Sequence, residues 1–90
     1  TALSYLQQSL KISQAIGDIN GMATTLHNMG GIAFKKEDWE HAIPYFIQAY
    51  QIFHQIGSPN EKVSKSYLDA LIDKIGETKF HEIVSKLTNP

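Results

Sequence analysis

The sequence predicts an all-α protein, a solenoid of antiparallel helix pairs with about five helices. The first observation behind this prediction is an internal repeat with a period of forty residues, which relates residues 2–20 to residues 42–60. The second is that both copies end in the same signal, an isoleucine, a glycine and a polar residue. The third is that the segments between and after the copies carry apolar residues at helical spacing. Such units bury their apolar stripes by stacking on their neighbours.

The repeated segment predicts two equivalent helices, one over residues 2–18 and one from about Trp39 to Ile56. Most of the positions that the copies share are apolar or small and lie on one helix face. The seven identical pairs are Ala2/Ala42, Tyr5/Tyr45, Gln8/Gln48, Ile12/Ile52, Ile16/Ile56, Gly17/Gly57 and Asn20/Asn60. A glycine placed just past a helical pattern favours the left-handed conformation that ends a helix. Both helices are therefore expected to stop at their glycine.

A helix is also predicted between the copies, from about residue 20 to residue 36. Its buried stripe consists of Met22, Leu26, Met29, Gly30 and Ala33. Asp38 is a natural N-cap for the helix that follows. That following helix is apolar on two faces, which indicates packing between two neighbours. Pro44 lies about two turns into it and predicts either a kink or a late helix start.

Two further helices are predicted in the last third of the chain. Val63, Tyr67, Leu71 and Ile75 follow one another at i+4 spacing and predict a fourth helix that Gly76 closes. A short fifth helix is expected over about residues 79–87, with Thr78 as its cap.

Composition excludes several classes of function. The chain of 90 residues is 42% hydrophobic and 19% charged, without cysteine and without an apolar run of the ~20 residues that span a bilayer. We therefore expect a cytoplasmic protein that does not enter a membrane. Its net charge is −1 and all eight basic residues are lysine, so neither nucleic acid nor an anionic membrane is an expected partner.

Several residues of the second and third helices make the sequence resemble the tetratricopeptide repeat family in its forty-residue form. They are Leu26, Asn28, Met29, Gly30, Asp38, Trp39, Ala42, Tyr45, Phe46 and Ala49. The resemblance implies a right-handed α-solenoid in which residues 20–57 form one complete repeat. Residues 2–18 would be the second helix of a preceding repeat, and residues 60–88 a diverged repeat or a C-terminal cap. The whole of 1–90 is then a single piece of a longer repeat protein.

The sequence departs from the family pattern at three places, and at one of them Ala33 stands where an aromatic residue is common. Glu37 replaces the glycine usual in the internal turn, which predicts another turn geometry or some backbone strain. Ile83 stands where a small residue is usual, so the last unit is expected to be a cap rather than another stacking repeat.

The resemblance also implies that partners bind on the concave face, which the first helix of each pair lines. The residues expected there are Thr24, His27, Asn28, Gly31, Phe34 and Lys35 on the second helix, and Lys65 and Asp69 on the fourth. Asn28 matches a family position whose amide pairs with the backbone of a bound segment, although a surface asparagine that binds water is the simpler alternative.

The four histidines do not predict a metal site or a catalytic site. His81 and Glu82 begin like a zinc-protease motif, but Ser85 stands where the second ligand belongs. The other histidines have no clustered carboxylate or nucleophile. We therefore expect no catalytic, cofactor-binding or metal-binding residues.

The sequence thus predicts a protein–protein interaction module that binds a peptide or protein segment in a helical groove. The alternative is a structural C-terminal cap or a self-association segment without a ligand of its own. The first helix carries an apolar face whose partner is not apparent, formed by Ala2, Leu3, Tyr5, Leu6, Leu10, Ile12 and Ile16. Such a face predicts a homodimer.

Overall fold

The computed structural model describes residues 2–88, and the side chains of residues 4–87. Its five helices are α1 (Ala2–Ile16), α2 (Ile19–Lys35), α3 (Trp39–Gln55), α4 (Glu61–Ile75) and α5 (Glu77–Thr88). These residues form no strand, so the all-α prediction is confirmed. Thr1, Asn89 and Pro90 lie outside the described residues, as do the side chains of Ala2 and Leu3 in the predicted first-helix face. No described helix is both long and apolar enough to cross a bilayer.

Two clusters of buried side chains hold α2 and α3 together as an antiparallel pair. Residues early in α2 meet residues late in α3 in the first cluster, formed by Ala23, Leu26, Ala49 and Phe53. Residues late in α2 meet residues early in α3 in the second, formed by Ala33, Ala42, Ile43, Phe46, Leu71 and Ile83. Since the second cluster also includes residues of α4 and α5, it continues the core toward the C-terminus.

Small residues allow α2 and α3 to approach closely. A Cβ atom on Gly30 would lie 3.0 Å from ring atoms of Phe46, which is fully buried. Close packing against Phe46 therefore explains this mid-helix glycine. Its neighbour Gly31 has no atom within 4 Å of where a Cβ would be. Packing does not explain this second glycine.

The helices end as the sequence predicts. Gly17, Gly57 and Gly76 all have positive φ, at 72°, 68° and 85°, which is the conformation that only glycine adopts without cost. Glu37 has φ 58° in the turn between α2 and α3. The strain expected for this residue is thus present, and it costs on the order of 1–2 kcal/mol.

The helix starts differ from the predictions at two places. α2 begins at Ile19 because Asp18 is its N-cap and accepts a hydrogen bond from the Gly21 backbone N–H at 2.8 Å. α5 begins at Glu77, so a start at residue 79 with a Thr78 cap is wrong. The physical reason is that the Gly76 carbonyl already accepts the Phe80 N–H at 3.1 Å, which forms the first helical turn.

Two features of α3 also differ. The helix is continuous from Trp39, so the late start that Pro44 suggested is wrong. Asp38 is the N-cap residue by position, but its side chain makes no capping hydrogen bond. Its carboxylate instead lies 2.8 Å from Nδ1 of His41 on the surface.

α4 is rotated relative to the predicted stripe. Val63 and Tyr67 were expected in the core together with Leu71, yet they are 48% and 36% exposed. Leu71 is fully buried as expected, and so is Ser64, which was not expected there. The serine can be buried because its hydroxyl has a hydrogen-bond partner, Nδ1 of His27 at 2.9 Å. The buried face of α4 is therefore displaced around the helix axis from the predicted stripe toward Ser64.

Candidate functional site

α2 and α4 lie side by side and run in the same direction. His27 contacts Ser64, and Phe34, two turns later on α2, contacts Tyr67 and lies 5.7 Å from Nζ of Lys74. Later residues of α2 therefore contact later residues of α4, as expected for two parallel helices. This pairing leaves an open furrow between the two helices.

Aromatic rings fix the walls of this furrow. The Tyr67 ring stacks on the buried Phe46 ring at 4.8 Å between centroids. Its edges meet His27 at 5.3 Å and Phe34 at 5.5 Å, and Phe34 is supported in turn by Trp39 at 5.5 Å. Offset and edge-to-face pairs of this kind contribute about 0.5–1.5 kcal/mol each beyond the burial of their area. The walls are consequently anchored to the packed core through Phe46.

Three cavities lie in sequence along the furrow and share lining residues. The first has a volume of about 170 Å³ and is lined by Thr24, His27, Phe53, Asn60 and Val63. The second, of about 410 Å³, is lined by residues that include His27, Asn28, Gly31, Phe34, Lys35 and Tyr67. The third, of about 160 Å³, is lined by Phe34, Ser66, Tyr67 and Ala70. Together they form one surface, which we call the α2–α4 groove.

The predicted site residues on α2 line the groove, whereas those on α4 do not. All six on α2 line the groove, namely Thr24, His27, Asn28, Gly31, Phe34 and Lys35. Lys65 and Asp69 on α4 are exposed and line none of its cavities. Lys65 is two positions from Tyr67, which turns it about 160° away around the helix. The structure therefore does not bring these two residues together with the other six.

The α4 wall consists instead of Val63, Ser66, Tyr67 and Ala70, with Lys74 beside Phe34. The sequence contains a signal for this wall that the single-stripe interpretation missed. Val63, Tyr67 and Ala70 stand at i, i+4 and i+7, which is a second helical stripe beside the one through Leu71.

The groove has no acidic lining. None of the residues around its three cavities is aspartate or glutamate, whereas Lys35 lines the middle cavity. Nζ of Lys74 lies 5.7 Å from the centroid of the Phe34 ring, within the range of a cation–π contact. Within residues 4–87, neither lysine makes an ion pair. The end of the groove near Phe34 therefore has two lysines close to it that make no ion pair with the described residues.

His27 belongs both to the groove and to the contact between α2 and α4. Its ring lies between Phe46, Tyr67 and the buried Ser64 hydroxyl. Burial lowers the pKa of His27 below its ordinary value, because the charged form loses solvation there. The imidazole is accordingly neutral at neutral pH.

The remaining described histidines, His41, His54 and His81, are exposed and line none of the groove cavities. The expectation that they have no carboxylate partner is wrong for two of them. His41 pairs with Asp38, and Nδ1 of His54 lies 3.1 Å from a carboxylate oxygen of Glu61, both on the surface. Across the described part of the chain, no three histidine, aspartate or glutamate side chains cluster as metal ligands would.

Comparison with known proteins agrees with this architecture. The sequence model of the tetratricopeptide repeat matches residues 1–55, which is more than half of the chain. The chain belongs to the tetratricopeptide repeat family. Tetratricopeptide repeats generally mediate protein–protein interactions and are typically non-catalytic scaffolds. No curated protein and no solved structure matches this tetratricopeptide repeat chain.

Proposed function

We propose that the chain binds an extended peptide or protein segment in the α2–α4 groove. The observation that carries this proposal is the continuity of the three cavities, which line up along a furrow with preformed aromatic walls. A rigid furrow avoids part of the ordering cost of binding.

Two residues on α2 support an extended occupant. Asn28 is exposed, and its amide has no hydrogen-bond partner within the described residues, so both its donor and its acceptor are free for a peptide bond. Gly31 lines the same cavity and has open space where a side chain would be. A main chain can therefore approach α2 closely at this point.

The test is affinity capture with the immobilised chain, read by quantitative mass spectrometry. The groove variant combines Asn28→Ala with Lys35→Ala, and the matched control is Gln48→Ala, an exposed residue of α3 that lines none of the groove cavities. We expect partners retained by the wild type and the control to be lost by the groove variant. Equal capture by all three proteins would refute groove binding.

Self-association through α1 is a second candidate, and it concerns a different surface. Tyr5, Ile12 and Ile16 of α1 are 70%, 62% and 73% exposed, and the side chain of Ile19 at the start of α2 is 52% exposed. Taking about 200 Å² for a large exposed side chain, roughly 500 Å² of apolar surface is uncovered. Two such faces together approach the ~1,000 Å² expected of a specific interface.

Sedimentation equilibrium tests this candidate. The wild type is expected to show a concentration-dependent dimer, and Ile12→Glu to shift it to monomer. Asp18→Ala is not a suitable control because it alters the α2 cap, so Gln14→Glu, which adds a charge elsewhere on α1, serves instead. A wild type that is monomeric at all accessible concentrations would rule the dimer out.

A capping role is the remaining candidate and is supported by α5. Ile83 is buried, and Phe80 and Val84 pack partly against the same cluster, which closes the core at the C-terminal end. Leu87 is the single large apolar side chain of the described part of α5 that is exposed. If the groove variant retains every partner, this capping role becomes the better explanation of the chain.

A further inference from the structure

We infer that two copies of the chain pair through α1 in antiparallel orientation, so that Tyr5 of each copy packs against Ile16 of the other. This inference rests on the self-association candidate and specifies how the second copy lies on α1. It is built from the order of large and small side chains along one face of the helix.

The outward face of α1 corresponds to a face that is covered on α3, to which the forty-residue repeat relates it. Tyr45 and Ile52 are partly buried there against a cluster that includes two residues of α2. Their counterparts Tyr5 and Ile12 are largely open to solvent. Because burial of such side chains is favourable, this face of α1 is suited to a helical partner.

Four positions form this face, at successive spacings of four, three and four residues. They are Tyr5, Ser9, Ile12 and Ile16. On a helix with 3.6 residues per turn, these spacings keep all four within about 60° of one another around the axis. The spacings are the same when the face is read in either direction. A pair of antiparallel helices related by a two-fold axis requires this property, because each contact occurs twice.

A two-fold axis midway between Ser9 and Ile12 matches the side chains by size. It places the small Ser9 of each copy opposite the larger Ile12 of the other, so that large and small side chains interdigitate. It also places Tyr5 opposite Ile16, and these are the two most exposed large apolar side chains among the described residues. A parallel pair would instead place serine opposite serine and leave a gap between the helices.

Charge, area and the opposite end of the fold favour a second copy as the partner. Lys11 is the single charged residue of α1, so this face does not select a partner of opposite charge. At the other end, α5 covers the core, and Leu87 is the single large apolar side chain exposed on its described part. A head-to-tail contact therefore has no comparable surface, whereas two α1 faces together approach the ~1,000 Å² of a specific interface. The pairing consequently closes at two copies.

Single cysteines test the orientation, since the chain contains no cysteine of its own. In the antiparallel pair, the two copies of residue 5 are about 16 Å apart along the helix axis, which is too far for a disulfide. The same holds for the two copies of residue 16. Tyr5→Cys or Ile16→Cys alone should therefore give almost no linked dimer under mild oxidation. An equimolar mixture of the two variants should link residue 5 to residue 16, which mass spectrometry of the linked peptides identifies.

Gln14→Cys takes the place of Ile16→Cys in the matched control. Gln14 is exposed and lies on the opposite side of α1 from Tyr5. Its mixture with Tyr5→Cys should therefore link only at the rate of free collision. Because pairing raises the effective concentration of facing thiols to roughly millimolar, the mixture that contains Ile16→Cys should link at least about tenfold faster at micromolar protein.

Ser9→Leu tests the fit of large and small side chains without a cysteine. It adds apolar surface to the face but fills the space that Ile12 of the other copy occupies, so it should weaken the dimer about tenfold in sedimentation equilibrium. Gln14→Leu adds the same side chain on the other side of α1 and should leave the dimer unchanged. Circular dichroism shows whether each variant keeps its helices.

The outcomes separate this inference from self-association itself. If each cysteine variant links to itself and the mixture does not, the pair is parallel, and the inference is overturned while self-association stands. Equal linking in the two mixtures, a dimer that Ser9→Leu does not weaken, or assemblies of more than two copies also overturn it. A wild type that is monomeric at all accessible concentrations overturns both. Groove binding is tested separately by affinity capture.

Discussion

The adjacent glycines of α2 provide a matched pair in which one extra methyl group should have opposite effects. Gly31→Ala places a Cβ atom in open space and gains the full helix propensity of alanine, about 0.8–1 kcal/mol. For a domain of this size, that gain raises the melting temperature by roughly 4–8 °C. Gly30→Ala has the same propensity gain, but its Cβ atom meets the Phe46 ring at 3.0 Å.

Phe46 cannot withdraw from that contact without disturbing the groove. It is fully buried and stacks on Tyr67, and overpacking at such a site costs about 1–3 kcal/mol. The net effect of Gly30→Ala is thus between neutral and about 2 kcal/mol destabilising, and the two variants differ by about 1–3 kcal/mol. Urea denaturation followed by circular dichroism measures both free energies of unfolding. Equal stabilisation by the two variants would refute the role assigned to Gly30.

Three further predictions concern His27, Glu37 and Asp18. Burial lowers the pKa of His27 below 6.5, so the unfolded chain takes up a proton more readily than the folded one. The free energy of unfolding should therefore be constant above about pH 7 and fall as the pH drops below 6.5. In a series of urea titrations at different pH values, His27→Gln should remove this pH dependence. Glu37→Gly relieves the left-handed backbone at φ 58°, partly offset by added freedom of the unfolded chain, and should raise the free energy of unfolding by about 0.5–1 kcal/mol; an unchanged melting curve would show that the turn is not strained. Asp18→Ala removes the hydrogen bond to the Gly21 N–H and should cost about 1 kcal/mol, with Asp18→Asn close to wild type in the same titration.

The forty-residue repeat allowed the first three helices to be predicted from the sequence. Gly17 and Gly57 mark helix ends on their own, because glycine adopts a positive φ in almost any tertiary context. Both helix ends were predicted correctly. Gly30 was also interpretable because a costly mid-helix glycine needs a reason. The groove side of α2 followed from the resemblance to the tetratricopeptide repeat, which implies that the first helix of each pair lines the binding face.

The orientation of α4 could not be predicted in the same way, because it depends on a contact between residues that are distant in the sequence. A stripe drawn through apolar residues places Val63 and Tyr67 inside and Ser64 outside. The bond from Ser64 to His27, thirty-seven positions away, makes burial of a hydroxyl tolerable and reverses that assignment. The resemblance implied that Lys65 and Asp69 lie in the groove, but the orientation of α4 turns both residues away from it. A hydrogen bond between repeats has no local signature in either helix.

The uneven covering of the helices has a consequence for motion. α1 packs chiefly against α2, with much of its apolar face open to solvent, whereas α3 contacts α2, α4 and α5. In a chain whose units contact only their neighbours, the least covered unit opens first and without the others. Amide hydrogen exchange should therefore be fastest in α1 and should approach the global unfolding limit in α3. The free chain would spend part of its time with α1 detached and the α2–α4 groove intact.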